Sequence, residues 1–165
     1  MVYLFLADGF EDMEAVVPYD MLKRANIDVL TVGVGAKTVR SAHGLTVTAD
    51  IFEEEVNEST MDAVILPGGM PGASNLRASK AVASAVSFAL KNGKIIGAIC
   101  AAPGVVLSGT GALEDKKYTC FPGFETKEGK YCAEGCVTDG KLVTAAGPLY
   151  AMDFANALIA ALNGK

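Results

Sequence analysis

A chain of 165 residues, 51% apolar and 20% charged, has the length and composition of one globular domain. That profile excludes a disordered polymer, a collagen-like repeat and a coiled coil, and a net charge of −5 is the wrong sign for a nucleic-acid partner. Four cysteines and one histidine narrow the chemistry further, since a lone imidazole, His43, leaves little for a His-based triad or a metal site.

The opening run from Val2 to Ala7 reads as a strand buried on both faces. It is too short, and too quickly followed by Asp8 and Glu11, for a signal or a membrane span, so a cytoplasmic setting with reduced thiols is expected. Met13 to Ala25 has apolar residues at helical spacing, interrupted at Pro18. Ile27 to Gly33 is the second strand, and Thr38 to Ala49 reads as two short extended pieces around His43-Gly44. Residues 51–59, rich in Glu, form a solvated face, read as a short helix. Ala63 to Leu66 is a strand ending in Pro67-Gly68-Gly69, and residues 74–92 predict one long amphipathic helix stopped by Asn92-Gly93. Lys94 to Ile99 is a further strand, followed at once by Cys100 and a helical stretch, Ala101 to Leu107. A mixed polar region, 110–140, holds two or three short strands before strand Lys141 to Ala145 and a last helix, Tyr150 to Leu162.

Short Val/Ile/Leu-rich strands alternating with helices predict a mostly parallel sheet with helices on both faces, a three-layer α/β/α sandwich. No linker or solenoid-period repeat divides it, so residues 1–165 are read as a single domain. Sites in such sheets gather at the carboxyl ends of strands, and three of those ends are informative.

The first carries Asp8 to Glu14. Glu11 and Asp12 read as decoration of a helix N-terminus, but Glu14 is flanked by Met13, Ala15, Val16 and Val17. A carboxyl drawn into such surroundings keeps its proton to a higher pH and can donate it in a hydrogen bond. The second is Pro67 to Gly72, whose glycines let backbone N–H groups face a crevice and bind an oxyanion. A tight turn explains the Gly-Gly pair equally well, and the stretch lacks the Lys-Ser/Thr ending of a phosphate loop. The third is Gly97 to Pro103, which puts Cys100 between strand and helix in the manner of a nucleophile elbow. A helix N-terminus there would lower the thiol's pKa. A buried structural cysteine would also fit the residue in isolation, and the position at a strand end favours a functional thiol. Cys120, Cys132 and Cys136 read as packing residues, and His43 as a surface residue in a turn. No second pair completes a zinc site with Cys132 and Cys136, so neither metal nor cofactor is expected.

These stretches, in this order, resemble the ThiJ/PfpI superfamily, in the branch of the parkinsonism-associated protein DJ-1 and its bacterial relatives. The matching pieces are Glu11-Asp12-Met13-Glu14 with Pro18-Tyr19-Asp20, Leu66-Pro67-Gly68-Gly69, Ala98-Ile99-Cys100-Ala101-Ala102-Pro103, Thr119-Cys120-Phe121-Pro122 and Ala146-Gly147-Pro148. The resemblance implies a flavodoxin-like fold, a homodimer, and a reactive Cys100 hydrogen-bonded by a protonated Glu14. It also implies that Gly69 and Ala101 N–H groups line an oxyanion site, and that His43, Asp20 and Arg24 lie near a pocket shared across the dimer. Where many superfamily members carry a histidine near the cysteine, this chain has Phe121.

The function expected from the resemblance is a stress-response protein acting through Cys100. It would act on reactive dicarbonyls, as a glyoxalase or deglycase, or serve as an oxidation sensor and redox chaperone. Its partners would be small aldehydes or oxidants and a second copy, with no nucleic acid and no membrane. A cysteine protease or amidase is the alternative, weakened because the general base is missing, and a thiazole monophosphate biosynthesis role has no supporting residues.

Overall fold

The structure is a computed structural model describing residues 1–164, so Lys165 lies outside it. Strand Val2–Leu6 (β1) leads into helix Asp12–Arg24 (α1) and strand Val29–Gly33 (β2). Thr38–Arg40 (β3) and Thr46–Thr48 (β4) pair antiparallel as a separate hairpin. Ile51–Phe52 (β5) is followed by 3-10 turns at Glu53–Glu55 and Glu58–Thr60, where the sequence suggested a short helix. Then come Ala63–Leu66 (β6), helices Gly72–Ala78 (α2) and Lys80–Lys91 (α3), strand Ile95–Ile99 (β7) and a single turn of helix, Ala102–Val105 (α4). Lys117–Tyr118 (β8) and Lys130–Tyr131 (β9) form a small parallel pair. Cys136–Asp139 (β10), Leu142–Ala145 (β11) and helix Ala151–Asn163 (α5) complete the chain.

Seven strands make one sheet in the order β10-β11-β7-β6-β1-β2-β5, parallel throughout except for the edge strand β10. Alternate residues of each strand part to opposite faces. Tyr3 and Phe5 pack with Leu76 and Val86 from α2 and α3, whereas Val2, Leu4 and Leu6 pack with Leu22 of α1 and Phe154 and Leu158 of α5. Both faces are apolar because both are covered, which explains the unbroken Val/Ile/Leu runs of β1, β6 and β7. A fully buried Leu4, Phe5 or Ile65 contributes roughly 2 kcal/mol. The result is a flavodoxin-like α/β/α sandwich.

Two helix expectations need correction. The long helix read over 74–92 is two helices, because the Ser79 hydroxyl accepts the Val82 N–H at 3.2 Å and starts α3 afresh. The same hydroxyl donates to Glu53 at 2.5 Å. Pro18, read as an interruption, lies inside α1 without ending it. The topology also decides the site, since β7, β6 and β1 are neighbours in the sheet and their carboxyl ends bring the three informative loops together.

Candidate active site

Cys100 follows β7 directly and takes a left-handed backbone conformation, φ +63°. Such a φ is costly for a residue with a Cβ and holds only where the surroundings impose it. Here the Cys100 N–H donates to the Ala145 carbonyl and the Cys100 carbonyl accepts the Phe121 N–H, both at 2.8 Å. The turn is thus fixed from two sides, with Cys100 in the strand-to-helix position that the sequence pattern indicates.

Gly68 shows why the neighbouring loop needs glycine. A Cβ there would stand 2.7 Å from the Cys100 Cβ and 2.8 Å from Glu14 Oε2. Gly69, at φ +83°, has the same constraint, since a Cβ would meet the Gly9 carbonyl at 2.5 Å. The N–H groups of Gly69 and Ala101 face the sulfur and favour its thiolate.

Glu14 arrives from α1 with no exposed surface. Its Oε2 accepts the Gly68 N–H at 2.8 Å, and its Oε1 is buried without a hydrogen-bond partner. The carboxyl's other polar neighbour is the Cys100 thiol. Burial pushes Glu14 up to about 7, against the opposing pull of the thiol and the Gly68 N–H. An orphaned, desolvated oxygen favours retention of the proton, the direction in which the apolar neighbours in the sequence also point.

The thiol departs from the sequence reading. With Glu14 ionised, burial and then the facing carboxylate push Cys100 up to about 12. The lowering expected from a helix N-terminus loses because α4 is four residues long and desolvation dominates. The two acids act as one unit: where Glu14 keeps its proton, the repulsion is gone and a donor faces the sulfur instead. One negative charge is then shared between a sulfur backed by two N–H groups and a carboxylate backed by one.

The other named residues lie apart from the thiol. Asp20 and Arg24 pair with each other at 2.7 Å on the exposed side of α1. His43 is a surface residue, as expected from its turn, and its Nδ1 lies 2.9 Å from Asp12 of its own chain. Sequence reasoning missed that contact, and also Ser41, which donates to the other Asp12 oxygen at 2.6 Å. No local signal marks either, because both bonds span about thirty residues. Cys120 is buried and Cys136 half-buried, and burial pushes each up to about 11. Among the described residues, Glu11, Asp12 and His43 form the group whose ligand atoms could gather round a metal ion. They stand at the α1 N-terminus, where the helix field disfavours a cation.

Fold and site together define a flavodoxin-like protein with a cysteine on a strained strand-to-helix turn, paired with a buried carboxyl. The chain belongs to the DJ-1/PfpI family, whose model matches residues 1–161. It is 36% identical to protein DJ-1 homolog B of Arabidopsis thaliana over 99% of its own length and 38% of the plant protein. The chain spans about two fifths of that relative and of DJ-1 homolog A from the same plant. A glutathione-independent glyoxalase of Caenorhabditis elegans is 32% identical, covering 93% of this chain and 83% of the worm protein. A deglycase of Pyrococcus abyssi is 32% identical over 75% of this chain and 74% of its own. Among solved structures, a DJ-1 superfamily protein of Salmonella typhimurium superposes with a TM-score of 0.93 at 37% identity, covering 99% of this chain and 90% of that one.

Proposed function

We propose that the chain converts small α-dicarbonyls through Cys100, with Glu14 as the one acid–base group. The observation that carries this is the pairing of a thiol on a strained turn with a buried carboxyl pushed up to about 7. In the ionised pair the thiolate attacks the aldehyde carbon, forming the S–C bond. The resulting alkoxide lies against the Gly69 and Ala101 N–H groups and takes the Glu14 proton to give a hemithioacetal. Glu14, now a carboxylate, removes the carbinol C–H proton to give an enediolate and returns it to the adjacent carbon, while the hydroxyl proton passes to the oxygen on that carbon. That leaves a thioester, which water hydrolyses to a 2-hydroxy acid and the free thiol. Similarity to the worm glyoxalase and the archaeal deglycase supports this substrate class.

The test is consumption of methylglyoxal with formation of lactate. Wild-type turnover lost in Cys100→Ser supports the reading, and a rate unchanged by that substitution rejects it. A protease or amidase has less support, because the groups acting on Cys100 are Glu14 and backbone amides, with no imidazole among them.

A second reading, an oxidation sensor, rests on the same N–H groups, which would hold a sulfinate as well as an alkoxide. Mild peroxide should then add oxygen to Cys100 before Cys120, Cys132 or Cys136, as mass spectrometry would show. We also propose one domain working as a homodimer. Met13 and Val16 on α1, Leu45 in the hairpin and Met152 on α5 are exposed apolar residues that a second copy would cover. His43, Asp20 and Arg24 would stand near that interface. Four free thiols suit a cytoplasmic setting, and no helix among the described residues is long and apolar enough to cross a membrane.

A further inference from the structure

The β3–β4 hairpin lies outside the main sheet, yet it grips the turn that delivers Glu14. Gly9 N–H donates to the Arg40 carbonyl, Arg40 N–H to Asp8 Oδ1, and Ala42 N–H to the Phe10 carbonyl, each at 2.8 Å. The side-chain part of the grip centres on Asp12, the first residue of α1. Ser41 donates to one of its oxygens at 2.6 Å, and His43 Nδ1 lies 2.9 Å from the other. Burial would raise Asp12, but these bonds outweigh it and hold the carboxyl below its usual range.

On its other side the same turn leans on the site. Glu11 N–H donates to the Gly68 carbonyl at 3.0 Å, and the Glu11 side chain accepts the Glu14 N–H at 2.9 Å. Gly68 in turn donates to Glu14 Oε2. A shift of the first turn of α1 therefore moves the Glu14 carboxyl and the loop behind the sulfur together.

We propose that Asp12, held by Ser41 and His43, is a positioning residue for the Glu14–Cys100 pair: the hairpin sets the depth at which Glu14 is buried. This rests on Cys100 being the reactive thiol, and it stands or falls apart from dicarbonyl turnover because its readout is thiol alkylation. The charged or titratable groups facing Glu14 are Cys100 and Glu11, the residue that caps the start of its helix. Loosening the first turn admits water to Glu14, which then ionises first and repels the thiolate.

The experiment is the pH profile of Cys100 alkylation by iodoacetamide in folded Asp12→Ala, Asp12→Asn, Ser41→Ala and, as a control elsewhere on the hairpin, Thr38→Ala. Thr38 pairs with Thr48 at 3.1 Å, away from Asp12. Asp12→Ala and Ser41→Ala should slow alkylation at pH 7 about fivefold and move the rise toward alkaline pH. Asp12→Asn, which keeps an acceptor for Ser41, should restore most of the rate, and Thr38→Ala should match wild type. If Asp12→Ala does not fold, Ser41→Ala carries the same test. Profiles that superimpose on wild type, or an equal shift in Thr38→Ala, overturn the proposal.

Discussion

The Gly68 amide donates to Glu14 at 2.8 Å, joining residues 54 apart in sequence. That bond ties one carboxyl oxygen to the loop behind the sulfur and leaves the other buried without a hydrogen-bond partner. It also explains why a glycine stands at a place where any side chain would collide with both partners of the pair.

Gly68→Ala should therefore be costly out of proportion to one methyl group. The added Cβ meets the Cys100 Cβ at 2.7 Å and the Ile99 carbonyl at 2.9 Å, so strand ends must part. A loss of about 2 kcal/mol in denaturant unfolding, with Cys100 alkylation slowed at least tenfold, is expected.

Glu14 also sets a pH dependence. Its pKa in the folded chain, about 7, lies above the ordinary 4.5, so folding favours the protonated form. The stability this contributes is full below pH 4.5 and is lost as pH rises through 7. Relative to Glu14→Gln, which has no such proton, wild type should lose about 3 kcal/mol between those limits. Melting temperatures of the two proteins measured from pH 4 to 8 check this, and a constant difference would refute a buried, protonated Glu14.

The left-handed backbone at Cys100 predicts an ordering of variants. Cys100→Ala keeps a Cβ at φ +63°, whereas Cys100→Gly relieves the strain. Cys100→Gly should unfold at higher denaturant, by about 1 kcal/mol relative to Cys100→Ala, with both inactive. Equal stabilities would show that the turn carries no strain.

Ser79→Ala tests the break between α2 and α3. It removes the hydroxyl that caps α3 and the bond to Glu53, and should cost about 1 kcal/mol in chemical unfolding. Cys100 alkylation should stay at the wild-type rate, because Ser79 does not touch the site.

Much of this protein is legible in its sequence. The strands β1, β6 and β7 show as apolar runs because a doubly covered strand has no wet face, and the turns after them show as Glu14, Gly-Gly and Cys100. The family resemblance follows from those same short stretches, each of which is local. What local pattern determined was which residues stand at strand ends. What it left open was how deep they lie and what they touch. Ser79 divides a helix that periodicity reads as continuous, since a cap depends on one hydroxyl and not on apolar spacing. The thiol's direction reversed because desolvation depends on everything packed around Cys100, while the helix effect counts only the turn that follows it. His43, read correctly as a surface residue, gained a partner in Asp12 only once the hairpin folded across the start of α1. The sequence by itself determined which side chains stand at the strand ends; the tertiary structure decided their burial and pairing, because folding brings together segments far apart in the chain.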